Sequence, residues 1–456
     1  MTVEKSGTPT AVRRVPPGPR GNAMLGKLRE VNNDRLGLMT SVAAEYGDAV
    51  RLTMGPKSLY FFNHPETAKY VLADNHTNYH KGIGLIHARR ALGDGLLTSE
   101  GALWRKQRKV IQPVFQRERI ARSAGVIAEE ADRLVGQLRT RLDGEPFDVV
   151  HEMTGLTLGV LGRTLLDADL SGFDSIGSSF EAVQDQAMFE MVSLSMVPTW
   201  VPLPRQVRFR RARRDLQRIV DQLVEQRVAR GTDGEDVLSR LINSTSQESD
   251  PQVRQARMRD ELVTLLLAGH ETTASTLGWS FYLLDRHPEV FERLRAEAIE
   301  VLGDRLPVYQ DLHRLTYTAA VVEEVMRLYP PVWILPRRAV ADDEVGGYHV
   351  PAGADVLICA YTLHRHPAFW PEPDRFDPER FGTGRTERSR YAYIPFGAGP
   401  RFCVGNNLGM MEAVFVLAMV AREFRLAKVP GYPVVAEPML SLRIRGGLPM
   451  TVRAAD

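Results

Sequence analysis

Only two cysteines, Cys359 and Cys403, occur in the 456 residues. Two thiols cannot build a disulfide framework or a four-cysteine zinc site, so the expected address is the cytoplasm. Residues 1–19 are polar and proline-rich, without the apolar run of a signal peptide or membrane anchor. Neither sign of charge dominates: 58 Lys and Arg against 56 Asp and Glu give a net charge of +2, which argues for no particular nucleic-acid or membrane partner. Repeats, low-complexity linkers and composition breaks are also missing. One domain is therefore expected over 21–456, behind a flexible proline-rich lead-in over 1–20. Two motifs fail as well. His270-Glu271 lacks the second histidine of a zinc-protease helix, and no phosphate-type glycine pattern accompanies it.

What is present is a 44% hydrophobic chain with enough apolar side chain for a large core. Periodicity predicts a helix within 31–50 that stops at Gly47, a hairpin over 49–63 broken at Gly55-Pro56, and a helix starting at Pro65. Residues 76–97, with four glycines, read as an irregular binding loop, and 124–167 as helical. The Phe-, Met- and Val-rich region 175–204 suits a lid over an apolar cavity or a helix–helix contact. Residues 205–218 hold seven arginines and one acid, Asp215, which is better explained as a solvated helix face than as a nucleic-acid site. A proline-free helix is predicted from Arg257 to Arg286, with Gly269 in its interior, where glycine costs about 1 kcal/mol relative to alanine.

The chemistry centres on Phe396-Gly397-Ala398-Gly399-Pro400-Arg401-Phe402-Cys403-Val404-Gly405. A lone cysteine is usually a small buried hydrophobe. This one stands between glycines, two residues after an arginine and just before an apolar helical pattern, where amide groups and the helix dipole favour a thiolate. That setting suits a nucleophile or a metal ligand. The spaced pattern Phe-x-x-Gly-x-Arg-x-Cys-x-Gly resembles the haem-binding loop of the cytochrome P-450 monooxygenases. The resemblance implies haem b ligated by Cys403, with Arg401 on a haem propionate, Phe396 near the sulfur, and Gly405 closing the loop. Leu408 and Gly409 depart from the Phe and Ala often found there, behind the haem.

Further motifs follow in the family's order. Trp104 and Arg108, four apart on one helical face, resemble its propionate-binding pair. The remaining basic residues of 101–120 (Arg105, Lys106, Lys109, Arg117, Arg119) then form an outward patch suited to an acidic electron donor. Ala268-Gly269-His270-Glu271-Thr272-Thr273 resembles the oxygen-handling helix. There Ala268 and Gly269 would give oxygen room, Thr272 would hold it with a water, and Glu271 would relay protons. On the residues alone, Thr272 bonding back to a carbonyl four residues earlier is the simpler reading. Glu324 and Arg327 with Arg380 resemble the family's buried charged triad. Arg337, with Arg338 as fallback, would be a further propionate contact. Cys359 reads as inert core, and His364-Arg365-His366-Pro367 as a turn.

The resemblance implies a mainly α fold, with a smaller β-rich part around a buried haem. It also implies a monooxygenase that uses O2 and draws electrons from NAD(P)H through a separate ferredoxin and ferredoxin reductase or similar donor. Expected substrates are lipophilic (terpenoid, polyketide or fatty acid), lined by Ile83, Leu85, Ile86, Leu97, Met188, Leu267, Trp333, Ile334, Leu440 and Ser441. A bacterial, monomeric protein without nucleic-acid partner or membrane anchor is expected. The other readings are a haem-thiolate isomerase, dehydratase or peroxide user, and a non-catalytic haem sensor; the Glu271–Thr272 pair argues against both.

Overall fold

The computed structural model describes residues 13–19, 34–54, 57–170, 173, 175–193, 196–198, 200–246, 248–382 and 388–455. Residues 1–12 and 20 of the expected lead-in lie outside these. Over 13–19 the lead-in is docked: the Arg51 amide donates to Pro17 O at 2.8 Å and the His349 amide to Arg14 O at 2.8 Å.

Helix α1 (Arg35–Tyr46) starts where the Asp34 side chain accepts from the Gly37 amide and stops at Gly47, whose φ of 84° suits glycine. Strands β1 (Ala49–Met54) and β2 (Lys57–Phe62) pair antiparallel, as the hairpin pattern predicts. The stretch after 76 differs from its expected irregularity. It forms β3 (Tyr79–Lys81) and α2 (Ile83–Leu92). Two of its four glycines end an element instead of loosening it: Gly82 is the N-cap of α2, and Gly93, at φ 76°, is its C-cap.

Helices α3 (Gly101–Ile111), α4 (Arg117–Arg139), α5 (Val149–Leu161), α6 (Ser175–Val192) and α7 (Pro204–Arg230) follow. The central helix α8 (Pro251–Arg286) begins earlier than the apolar pattern suggests. Asp250 caps the amides of Gln252 and Val253, with Pro251 in the first turn, while residues 251–256 are too polar to show a periodic stripe. At 36 residues α8 is about 54 Å long. Then come α9 (Pro288–Leu302), α10 (Thr316–Leu328), β4 (Leu335–Ala339), β5 (Asp355–Ile358), α11 (Asn406–Glu423), β6 (Phe424–Lys428), β7 (Ala436–Pro438), β8 (Leu442–Ile444) and β9 (Pro449–Ala454).

The fold is mainly α. Its largest sheet has the order β1-β2-β5-β4-β3, with β5 parallel to β2 and antiparallel to β4. Every residue of β5 is buried. From Met411 to Ala421 every residue of α11 is buried too, so α11 is the interior post on which the cysteine loop rests. Its departure at Gly409 is benign, since an added Cβ would meet Thr273 Oγ1 of α8 at 3.4 Å, an ordinary contact.

Candidate active site

Cys403 ends a loop shaped by two left-handed glycines, Gly397 (φ 73°) and Gly399 (φ 67°). Gly399 lies so close to the backbone that a Cβ there would fall 2.0 Å from Leu72 O. Gly399→Ala is therefore expected to destabilise the protein by about 2–3 kcal/mol, combining backbone strain with overpacking, as read by chemical denaturation. The Cys403 amide donates to Phe396 O at 3.0 Å, closing the loop, and Gly405 is the N-cap of α11. Burial pushes the Cys403 thiol up, while the Gly405 amide, the Arg108 guanidinium and the Asn406 amide pull it down. Even so, Cys403 keeps accessible surface. A thiol deep enough to be desolvated yet still open lies on the wall of an interior hollow.

In α8, Ala268 is exposed although Leu267 and His270 beside it are buried. Only a hollow can expose a side chain in mid-helix here. Gly269 has a packing job: a Cβ there would strike Leu161 Cδ1 of α5 at 2.0 Å. Its missing side chain lets α5 and α8 approach. Thr272 Oγ1 donates to Ala268 O at 2.9 Å, the back-bond that the residues alone suggest. Glu271 is bound by Ser441 Oγ at 2.6 Å, and burial raises its carboxyl above the usual range. Burial also keeps His270 neutral, lowering it to about 4.

Around Arg401 the structure gathers more positive than negative charge. The Arg401 guanidinium pairs with Glu100 and lies 4.6 Å from the Trp104 ring centre. Arg337 is buried, and desolvation together with nearby Arg401 lowers it to about 10. Its neighbour Arg338 points away to Asp355 at 2.7 Å, as strand alternation requires. Sequence reasoning missed Lys81, which donates through Nζ to Leu96 O at 2.9 Å. Burial and then Arg401 bring it down to about 6. The signal was there: in β3 a buried Tyr79 puts Lys81 on the same face. Arg108 donates to Phe402 O at 2.8 Å, beside Cys403.

Glu324 and Arg327 are joined by two hydrogen bonds, 2.7 and 2.8 Å, with both side chains fully buried. Arg327 also donates to the carbonyls of His364, Pro373 and Arg375, and the Asp377 amide donates to Glu324. Arg380 stands 3.4 Å from Glu324, a looser third member. His364 accepts from the Ile394 amide, and among the described residues no His, Cys, Asp or Glu cluster could hold a metal.

The expected pocket residues divide. Ile83 and Trp333 pack into a core with Leu36, Phe61, Cys359 and Leu442, where Trp333 Nε1 donates to Met439 O. Met188 and Leu267 are buried, Leu85, Leu97, Ile334 and Leu440 are half-buried, and Ile86 is exposed. Ser441 faces Glu271 instead of open space. On α3 and the start of α4, Arg105, Lys106, Lys109 and Arg117 are exposed, whereas Arg119 is engaged by Glu235. In α7, Arg208 pairs with Glu181 and Asp185, in keeping with a solvated face.

A family model described as Cytochrome P450 matches residues 16–444. The chain is 37% identical over 429 residues to cyclooctatin synthase of Streptomyces melanosporofaciens, spanning 93% of this chain and 92% of that protein. It is also 37% identical over 389 residues to cyclooctat-9-en-7-ol 5-monooxygenase of the same organism, spanning 85% and 84%. Among solved structures it resembles the crystal structure of the cytochrome P450DA heme domain, at 25% identity and a TM-score of 0.86, over 98% of this chain and 99% of that one.

Proposed function

Since the chain belongs to the cytochrome P450 family, a family of haem-thiolate oxygenases, we propose that it inserts one oxygen atom of O2 into a C–H or C=C bond of a terpenoid, with electrons from NAD(P)H through a separate ferredoxin-type donor. The observation that carries this reading is Cys403: a desolvated yet accessible thiol, cradled by the amides of Gly405 and Asn406 at the start of α11. The terpenoid assignment draws on the relatives, one of which is named for oxidising cyclooctat-9-en-7-ol, an alicyclic alkenol.

The residues fit the cofactor. Haem b carries two carboxylates, and its iron would take a thiolate from the protein. Arg337 and Arg401 share the Glu100 carboxylate at close range, leaving positive charge for a further anion, and a second anion would draw the neighbouring Lys81, held down to about 6 by burial and Arg401, into its charged form. Cys403 would be the ligand, and the exposed face of Ala268 leaves room on α8. When bound, the haem supplies oxygen activation and one-electron chemistry that side chains lack.

The chain's own residues bind, orient and move protons. Amides at Cys403 would temper the donor strength of its thiolate. Thr272 spends its own proton on Ala268 O, so its oxygen is free to accept a hydrogen bond from water in the hollow. Glu271 would bring protons from a cleft of about 730 Å³ on whose wall it lies. The exposed Arg105, Lys106, Lys109 and Arg117 offer an acidic donor a landing face. No helix among the described residues is long and apolar enough to cross a membrane.

Product formation with a surrogate ferredoxin pair, NADPH and air, on lipophiles that shift the Soret band, tests the reading. Turnover without oxygen or electrons would replace it with the isomerase or dehydratase alternative. Thr272→Ala is expected to lower product formed per NADPH at least ~10-fold while NADPH oxidation continues, read as peroxide release.

A further inference from the structure

Glu271 is held by more than its own helix. Ser441 lies between β7 and β8, 170 residues along the chain, and donates its hydroxyl proton to Glu271 Oε1 at 2.6 Å. Gln184 of α6 and Arg443 of β8 also pull the Glu271 carboxyl down against the burial that raises it. Arg443 is itself fixed by Glu437 at 2.8 Å and lies 3.7 Å from Glu181 of α6. The β7–β8 hairpin and α6 thus converge on one carboxyl of α8. Ser441 and Gln184 are both about 3% exposed, and Gln184 Oε1 has no protein partner. Glu271, Gln184, His270 and Arg443 all line the same cleft.

A buried glutamate with several rotamers and no fixed partner would be a poor carrier, because it could settle away from water. A hydroxyl donor from the β7–β8 turn, beside the Gln184 amide on the same cleft wall, removes that freedom without neutralising the carboxyl outright, as a direct ion pair would. We propose that Ser441 and Gln184 are positioning residues that hold the Glu271 carboxyl against the cleft, so that it takes a proton from cleft water before passing one toward Thr272. An O–H bond forms on the Glu271 carboxylate as one breaks on a hydrated proton that reaches the cleft from solvent, and the inward transfer breaks that carboxyl O–H as one forms on the acceptor beside Thr272, restoring the carboxylate. This rests on the relay reading of Glu271. Arg443 sets the field without touching the proton, since Glu437 and Glu181 hold it.

The charged and titratable groups around this carboxyl are His270 on α8, Glu181 on α6 and Arg443 on β8. Further out on the cleft wall are Asp148, His151, Glu130, Arg133, Arg163 and Asp169. Ser441 and Gln184 both favour the ionised form against the burial that opposes it. Losing either should therefore move titration of Glu271 to higher pH.

Infrared titration of the purified holoprotein follows the carboxyl C=O band, assigned to Glu271 by its disappearance in Glu271→Gln. In parallel, NADPH-driven oxygen reduction with the surrogate ferredoxin pair is measured in H2O and D2O, which needs no identified substrate. Ser441→Ala is expected to raise the pH at which the band titrates, slow oxygen reduction about 3- to 10-fold, the worth of one hydrogen bond, and enlarge the solvent isotope effect. Ser441→Thr should restore all three, and Gln184→Leu should shift the band in the same direction. An unmoved band in both Ser441→Ala and Gln184→Leu overturns the proposal, even if the rate falls, because a purely structural defect would do that. If Glu271→Gln leaves rate and isotope effect at wild-type values, the relay reading fails and takes this inference with it. If only the Ser441 and Gln184 variants are silent, the relay stands and the positioning role does not.

Discussion

Cys403→Ser is expected to abolish the thiolate signature of the reduced, carbon-monoxide-bound protein and to reduce oxygenation to background, while the chain still folds. Serine is nearly isosteric and accepts the same amides. Its alcohol ionises far less readily than a thiol, and its oxygen would push less electron density onto iron than a thiolate sulfur. Within the site the amides of Gly405 and Asn406 and the Arg108 guanidinium work against burial, and they can stabilise an anion only if the side chain ionises. The fold should lose little, because Cys403 has accessible surface and fills no core. Cys359→Ser is the control: that thiol is fully buried, donates to Trp333 O at 3.3 Å, and should leave the spectrum unchanged. A Cys403→Ser protein that kept both pigment signature and turnover would remove the basis of the proposed function.

Breaking the buried ion pair should have the other large effect, on stability. Glu324→Ala leaves the Arg327 guanidinium charged, fully buried, and still tied to three carbonyls, with the Asp377 amide orphaned. Removing one partner of such a pair costs about 3–5 kcal/mol. Against a typical total of roughly 5–15 kcal/mol, that is enough to lower both yield of folded protein and its haem content. Arg327→Lys should fare little better, because an ammonium cannot make the two parallel bonds to Glu324 and reach the carbonyls as well. Arg380→Ala should be milder, since its contact with Glu324 is 3.4 Å and its Nε has no hydrogen-bond partner. Thermal unfolding and the haem-to-protein absorbance ratio of the three variants give the ranking. Equal, small shifts for all three would show that the triad does not hold the cysteine loop's surroundings together.

The sequence determined whatever a single stretch of backbone can carry. The Phe396–Gly405 loop and the Glu324–Arg327 pair one helical turn apart are fixed by local geometry, so their spacing reveals them, whereas the choice between Arg337 and Arg338 turned on which face of β4 is buried. The helix ends at Gly47 and Asp250 are of the same kind, although the start of α8 was hidden because a polar first turn carries no apolar stripe. Tertiary structure decided everything that needs a partner from far along the chain. It turned Gly82 and Gly93 into caps for a helix packed on α6. It assigned Gly269 to a close approach with Leu161, brought Lys81 beside Arg337 and Arg401, and set Ser441 on Glu271 across 170 residues. The physical reason is that a glycine or a serine is specified by what packs against it, and no periodicity in its own segment records the identity of that neighbour.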